Sequence, residues 1–338
     1  MRAAGIPVRR LVLRSLRSTE RSIHAVLDPL RLGLAVPQAL AILARERPAA
    51  IFTTGGYAAI PVLLAARPLG IPTVLWDGNV IPGRSVRATA RLATVVAVSF
   101  PETCAALAVA AERCYVSGTP IRDFSTIDPP AARARLGIPS DRRVLLVFGG
   151  SQAVRRFNAA VSEALPRLVS GVNVVHVTGD AGYARALSDR EALPAELRER
   201  YRPFPFLGAE MADALVAADL IVGRAGSSTL AEATALGKPI VVVPYPHAAG
   251  HQRANARRVV ESGAGRLVAD DAFDAAALLD AAAILDDPAT HARMAAASRE
   301  LGRPGAAEAV AELVTAAAER RPFPDRAAIE RRSREGQA

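Results

Sequence analysis

The sequence predicts an α/β protein made of two lobes, each built on a parallel sheet. Three observations carry that expectation. Short apolar runs recur along the chain, each followed by a Gly- or Ser-bearing turn and then by an Ala-rich helical stretch. Strands alternating with helices form parallel sheets covered on both faces, because each crossover carries the chain back over the sheet. The alternation breaks once, at 118–141, where Pro120, Pro129, Pro130 and Pro139 stand among few apolar residues. The length of 338 residues suits two ordinary domains on either side of that break.

Strands are expected at about 49–53, 73–76, 94–98 and 114–117, then at about 143–148, 172–177, 219–222 and 239–243. Helices are expected at 57–67, 84–92, 101–111, 151–165, 210–217, 227–236 and 250–262, with further Ala-rich helices through 272–320. The uncharged stretch 48–66 is long enough to raise the question of a membrane span. Its Thr-Thr-Gly-Gly turn and Pro61 divide it into strand, turn and helix instead. The expected organisation is an N-terminal lobe at 1–124, a C-terminal lobe at 125–300, and a helix at 301–320 that packs back on the N-terminal lobe. The charged, Pro-broken residues 321–338 read as a disordered tail.

Composition narrows the function. Hydrophobic residues make up 51%, enough for a sizeable core, and aromatics only 4%, which argues against a stacking platform for single-stranded nucleic acid. No nucleic-acid partner is expected. The net charge is +9, and Lys238 is the one lysine among the 42 basic residues, so the arginines reflect coding bias more than individual choice. Eight arginines fall at 2, 9, 10, 14, 17, 21, 31 and 45 against Glu20 and Asp28, interleaved with Leu11, Val12, Leu13 and Leu16. That stretch reads equally as a segment drawn to an anionic membrane surface and as an ordinary solvated helix face. Cys104 and Cys114 have no metal-ligand spacing, so neither a metal site nor a disulfide framework is expected and a reducing compartment fits.

In an open α/β sheet ligands bind beyond the carboxyl ends of the strands, so the turns there are where chemistry is sought. Gly149-Gly150-Ser151-Gln152 lies between VLLVF and a helix, where backbone N–H groups and a helix dipole suit a diphosphate. The alternative is that Ser151 is an N-cap. A second turn, Arg224-Ala225-Gly226-Ser227-Ser228-Thr229, repeats the arrangement, with Glu232 in the next helical turn. A carboxylate there can accept both hydroxyls of a ribose, or it can pair with an arginine. Third, His251, Gln252 and Asn255 fall within about one helical turn after Pro244-Tyr245-Pro246-His247, so they can face one ligand. Their amide and imidazole groups suit sugar hydroxyls. The pair His247 and His251 lacks a third ligand, so zinc is not expected. Thr53-Thr54-Gly55-Gly56-Tyr57, Trp76-Asp77-Gly78-Asn79 and Gly118-Thr119-Pro120-Ile121-Arg122 are further turns, each of which is also ordinary turn chemistry.

In order, TTGGYAAIPVLLAARPLGIPTV, VAVSFPET, SGTPIR, FGGSQ, ADLIVGRAGSSTLAEATALGKPIVVVPYPHAAGHQRANA and ESGAG resemble the MurG family, which adds N-acetylglucosamine to the muramoyl-pentapeptide lipid of peptidoglycan synthesis. The resembling stretch runs from about 48 to 310, and the block from Arg224 to Asn255 is the most specific. The resemblance implies a GT-B fold whose two Rossmann-like lobes face a cleft. It also implies an inverting hexosyltransferase with UDP-N-acetylglucosamine as donor, acting on a lipid-linked acceptor at the cytoplasmic face of the membrane. Ser151 and Arg122 are then expected at the diphosphate, with Arg122 reaching across the cleft, and Gln152 in the same donor site. Arg224, Gly226, Ser227, Ser228 and Thr229 belong to the cradling helix start, and Glu232 to the ribose. Leu207 and Gly208 line the uracil pocket through their backbone. His251, Gln252 and Asn255 face the sugar. Gly55, Gly56, Tyr57 and Asn79 belong to the acceptor side, with Asp77 as a candidate base. No metal or other cofactor is expected, since helix dipoles and arginine neutralise the departing UDP.

Two departures from the family pattern matter. The opening strand, Gly-rich loop and helix have no counterpart in this sequence, so the N-terminal lobe is expected to be incomplete and the true start to lie upstream. Trp76-Asp77-Gly78-Asn79 stands where the family has His-Glu-Gln-Asn, which leaves the acceptor open. A UDP-hexose-dependent glycolipid synthase of the same fold and an inactive UDP-sugar-binding relative are the alternatives.

Overall fold

The computed structural model describes residues 7–13, 24–150, 155–246 and 250–336, with the backbone alone for 24–30. The chain divides into two compact units. One comprises Met1–Gly118 with Glu308–Arg332, the other Thr119–Ala307 with Ser333–Ala338. The division falls at 118/119, ahead of the 124/125 boundary read from the prolines.

The first unit carries a four-stranded parallel sheet of β1 (Ile51–Thr53), β2 (Thr73–Asp77), β3 (Val95–Val98) and β4 (Cys114–Val116), in the order β1-β2-β3-β4. Successive strand residues face opposite sides. Leu75, Val96 and Val98 therefore pack with Val86, Ala90 and Leu107, around α3 (Arg84–Thr89) and α4 (Pro101–Ala106). Val74, Val95 and Ala97 face the other way. They are covered by Ala309, Val310, Leu313 and Ala317 of α13 (Ala306–Ala318) and by Ile329 of α14 (Arg326–Arg334). The tail expected to be disordered is thus helical from Arg326 to Arg334. Its low apolar content misleads because Ile329 is fully buried, while Arg326 Nε donates to the Cys114 carbonyl at 3.0 Å. At the β1 edge, α1 (His24–Glu46) packs on α2 (Ala59–Ala66) through Ala39, Leu43, Ala65 and Ala66, joined by Leu11. No helix among the described residues is long and apolar enough to cross a membrane.

A further correction concerns the cysteines, expected to be unpaired. Cys104 of α4 and Cys114 of β4 form a disulfide, their Cα atoms 5.9 Å apart. A spacing of ten residues carries no such signal. It is the fold of α4 back against β4 that brings the two within bridging range.

The second unit carries a six-stranded parallel sheet in the order β10-β9-β8-β5-β6-β7. Its strands are β5 (Val144–Phe148), β6 (Asn173–Val177), β7 (Tyr201–Phe204), β8 (Leu220–Gly223), β9 (Ile240–Val242) and β10 (Gly265–Leu267). The central VLLVF run is buried at all five positions, as a strand covered on both faces must be. On one face lies α6 (Arg155–Gly171), whose Phe157, Ala160, Val161, Ala164, Leu165 and Leu168 recur at helical spacing. It is joined there by α7 (Asp180–Glu191) and α11 (Ala275–Ala282). The other face is covered by α5 (Pro129–Arg135), α8 (Met211–Ala217), α9 (Ser227–Ala235), α10 (His251–Glu261) and α12 (Pro288–Leu301). The prolines read as a linker open α5. Asp128 caps it by accepting from Ala131 N at 2.9 Å, and proline suits a first helical position because the missing N–H has no partner there anyway.

Candidate active site

Strand order locates the site. From β5 the chain builds outward through β6 and β7, then returns to β5's other side with β8 and builds outward through β9 and β10. The reversal point of an open parallel sheet opens a crevice at the carboxyl ends of the two central strands. Those ends are level: Phe148 pairs with Gly223. A Cβ on Gly223 would stand 3.2 Å from the Phe148 carbonyl oxygen and 3.6 Å from its ring, so glycine permits the two ends to lie side by side. Both predicted ligand turns, the one opening at Gly149-Gly150 and the one opening at Arg224, leave from this point. Ser151, Gln152 and His247 lie outside the described residues.

Helix α9 begins at Ser227 with Gly226 as its N-cap, which brings no side chain to the free N–H groups of the first turn. Those N–H groups and the hydroxyls of Ser227, Ser228 and Thr229 form one end of the helix, where the dipole favours an anion. Glu232 stands one turn further along. Its Oε1 accepts from Arg122 Nε at 2.9 Å, with the Glu232 side chain 14% exposed and Arg122 40% exposed. Burial pushes the Glu232 carboxyl above the usual carboxylate range, and the Arg122 guanidinium pulls it partly back. Arg122 was expected to reach in from the N-terminal lobe. The unit boundary at 118/119 places it instead in the same unit as Glu232.

Three residues expected at the donor are also held by hydrogen bonds within the protein. Arg224 is 7% exposed and donates to Val243 O at 3.0 Å and to Asp270 Oδ1 at 2.5 Å. Its guanidinium carbon lies 4.8 Å from the Phe157 ring centroid and 5.5 Å from that of Tyr245. Asn255 is fully buried and its Nδ2 donates to Ala225 O at 3.3 Å. Gln252 Oε1 accepts from Tyr245 N at 2.9 Å. Side chains engaged in this way fix the 225–229 and 244–246 turns against α10. His251, the first residue of α10, is half-buried at the mouth of this arrangement. Leu207 is 7% exposed, and Gly208 N donates to Glu210 Oε2 at 3.1 Å. Beside them Phe206 is 76% exposed, an aromatic face next to the predicted base pocket that sequence reading passed over.

In the first unit, Gly55, Gly56 and Tyr57 follow β1 and Asp77 ends β2, so all stand at carboxyl strand ends. Asp77 is 4% exposed. Its Oδ1 accepts from Asn79 N at 3.0 Å and from Asn79 Nδ2 at 3.1 Å, and its Oδ2 from Gly83 N at 3.3 Å. A general base needs a lone pair aimed at the substrate hydroxyl. Both Asp77 oxygens accept from their own loop, which ties residues 77–83 to the end of β2. Asn79 is half-buried, and its carbonyl accepts from Thr103 Oγ1 of α4 at 2.8 Å. Trp76, which departs from the family pattern, is accommodated by a 2.9 Å hydrogen bond from Nε1 to Gly118 O. Among the described residues no group of three or more His, Cys, Asp or Glu side chains is placed to hold a metal ion.

Comparison with known proteins agrees with this architecture. The glycosyltransferase family 28 N-terminal domain matches residues 1–98, and the family 28 C-terminal domain matches residues 144–312. A UDP-N-acetylglucosamine--N-acetylmuramyl-(pentapeptide) pyrophosphoryl-undecaprenol N-acetylglucosamine transferase from Chlorobium phaeobacteroides is 36% identical over 318 residues, spanning 90% of this chain and 84% of that one. The protein of the same name from Gloeobacter violaceus is 39% identical over 277 residues, spanning 81% and 75%. The crystal structure of Acinetobacter baumannii MurG superposes with a TM-score of 0.73 at 26% identity, covering 93% of this chain and 86% of that one. A putative UDP-N-acetylglucosamine 2-epimerase from Listeria monocytogenes shares the fold, with a TM-score of 0.67 at 16% identity, covering 87% and 82%. With its two parallel-sheet lobes of the GT-B class, the chain belongs to glycosyltransferase family 28 and, within it, to the MurG family.

Proposed function

We propose that this chain transfers N-acetylglucosamine from UDP-N-acetylglucosamine to a muramoyl-pentapeptide lipid, as its relatives are named for doing. One observation carries the donor half of that reading. Two Gly-bearing turns leave the paired strand ends Phe148 and Gly223 at the reversal point of the sheet, with Glu232 and Arg122 beside the uncapped start of α9. The diphosphate sits against that helix start, where N–H groups and hydroxyls offset its charge as the bond to the sugar breaks. Glu232 accepts from the ribose hydroxyls. The reaction is a single displacement: a muramoyl hydroxyl attacks the anomeric carbon, its proton passes to a base, and UDP leaves from the opposite face. The acceptor lies at the carboxyl ends of β1 and β2, by Tyr57 and Asn79. Peripheral attachment at the cytoplasmic face of the membrane follows from a lipid acceptor and from the basic stretch within residues 1–45, with an anionic lipid surface as the partner.

The test is transfer of labelled N-acetylglucosamine from UDP-N-acetylglucosamine to a muramoyl-pentapeptide lipid by the purified chain. Label in the lipid is the expected result. UDP binding without transfer would reduce the chain to a UDP-sugar-binding protein, and faster transfer from a UDP-hexose to a diacylglycerol would assign it to glycolipid synthesis.

A further inference from the structure

We propose that Asp270 is a positioning residue for the donor sugar nucleotide, acting through Arg224; this rests on the donor site proposed above. Asp270 lies just beyond β10, outside every ligand turn. One of its oxygens accepts from Arg224 Nη1 at 2.5 Å, and the other is 3.7 Å from Arg156 Nε. Arg224 is the first residue of the turn that leads into α9. Its guanidinium is the junction of four elements. It donates to the carbonyls of Val243 and Pro244 at 3.0 and 3.5 Å, which begin the Pro244–Pro246 turn before α10. It also stands over Phe157 of α6 and Tyr245 of that same turn.

A guanidinium that is 7% exposed needs a counter-charge to stay in place, and Asp270 supplies it. With the guanidinium held, the start of α9 and the turn before α10 keep a fixed spacing. Asn255, which reaches from α10 to Ala225 O, and Gln252, which accepts from Tyr245 N, link the same two turns from the other side. Loss of the Asp270 charge removes this ion pair and leaves the guanidinium to the carbonyls of Val243 and Pro244. The diphosphate and the sugar are gripped by different turns, so a change in turn spacing weakens donor binding while leaving the acceptor contacts, in the other unit, untouched.

The experiment compares wild type, Asp270→Asn, Asp270→Glu and Tyr245→Leu in the full chain. Kd for UDP-N-acetylglucosamine is measured by calorimetry, KM for donor and acceptor by transfer, and Tm by scanning fluorimetry, with all binding measured well below every Tm. Asp270→Asn is expected to raise donor Kd and KM about tenfold, the scale of one charge-assisted hydrogen bond, with acceptor KM within twofold of wild type. Asp270→Glu restores most of the loss because the charge returns. Tyr245→Leu, which removes a stacking face without touching charge, gives the same donor-selective pattern and serves if Asp270→Asn does not fold. A lower Tm with unchanged donor Kd overturns the proposal, and so does an equal rise in donor and acceptor KM. Wild type that binds the donor without transferring it counts against the transferase reading alone, since the calorimetry still decides the role of Asp270.

Discussion

Arg122 Nε and Glu232 Oε1, 110 residues apart in sequence, are 2.9 Å apart in the fold. The pair joins two side chains expected at different parts of one nucleotide, the diphosphate and the ribose. On the proposed donor site, UDP exchanges partners: ribose hydroxyls replace part of the guanidinium at Glu232, and the guanidinium turns to phosphate. Glu232→Ala is expected to weaken UDP binding about tenfold, the worth of one or two hydrogen bonds to a carboxylate. The loss shrinks with 2′-deoxy-UDP, which lacks one of the two hydroxyls. Calorimetry with both ligands checks it, and unchanged UDP affinity in Glu232→Ala undoes the ribose assignment.

The same pair sets a pH dependence. Burial raises the Glu232 carboxyl above its ordinary value and Arg122 opposes the rise. On the proposed contact the ribose hydroxyls donate to the charged form, so donor affinity is expected to be full above the Glu232 pKa and to fall as pH drops through it. Arg122→Ala removes the opposing charge and shifts that fall to higher pH. Glu232→Gln, which cannot ionise, flattens it. Affinity for UDP-N-acetylglucosamine between pH 4.5 and 8 is the measurement, since that ligand has no secondary phosphate ionisation in the window. A fall at the same pH in wild type and Arg122→Ala would show that another group is titrating.

Much of this site is legible in the sequence, and the reason is local. A strand that ends in glycine and opens a helix announces itself through neighbouring residues, so Gly149-Gly150 and Arg224–Thr229 stand out as ligand turns. What the chain does not announce is which polar side chains face the ligand. Arg224 and Asn255 share the motif with Ser227 and Glu232, yet both are buried and hydrogen-bonded within the protein. Their partners, Asp270 and Ala225 O, are 46 and 30 residues away. The short strand β10, only Gly-Arg-Leu, evades the eye, so Asp270 beyond it looks like a loop acid. The helix α14 is hidden for the opposite reason, its buried apolar anchor Ile329 being outnumbered by charge.

Asp77 offers a clean separation of roles. Its carboxylate holds Asn79 and Gly83 rather than an open space. Asp77→Asn keeps one oxygen to accept from the Asn79 backbone, and transfer is expected to fall less than tenfold. Asp77→Ala frees the loop, lowering Tm by a few degrees and raising acceptor KM, while donor Kd holds. A general base would behave differently, with Asp77→Asn losing on the order of 10² to 10⁴ in kcat at unchanged KM. Steady-state kinetics of the two variants decides between loop organiser and base.

Gly55 tests the acceptor-side turn from the backbone. It sits at φ +71, and a Cβ there would come within 2.4 Å of Val86 Cγ2. Its carbonyl also accepts from Ser85 Oγ at 2.5 Å, tying the turn after β1 to α3. Gly55→Ala therefore combines an unfavourable left-handed conformation with a clash in a packed cluster. A loss of about 1–3 kcal/mol is expected, visible as a lower urea midpoint. Gly56→Ala, with open space around its Cα, serves as the control and should cost much less.

The last prediction concerns His176, on β6 in the second unit. It is 1% exposed, and its Nδ1 lies 2.9 Å from the Tyr201 hydroxyl, itself in the core. Burial pushes the imidazole pKa down to about 3, from an ordinary value near 6.5. The unfolded chain thus takes up a proton at this site below about pH 6.5 that the folded chain refuses until about pH 3. Stability present at neutral pH is lost as pH falls through that window, at up to about 1.4 kcal/mol per pH unit from this one group. In His176→Gln the side chain can still hydrogen-bond Tyr201 but cannot titrate. Urea unfolding followed by circular dichroism at pH 7 and pH 5 should show wild type losing about 2 kcal/mol more than the variant between the two. Other acids titrate alike in both proteins, so the difference isolates the histidine, and parallel losses in the two would mean that His176 is not buried neutral.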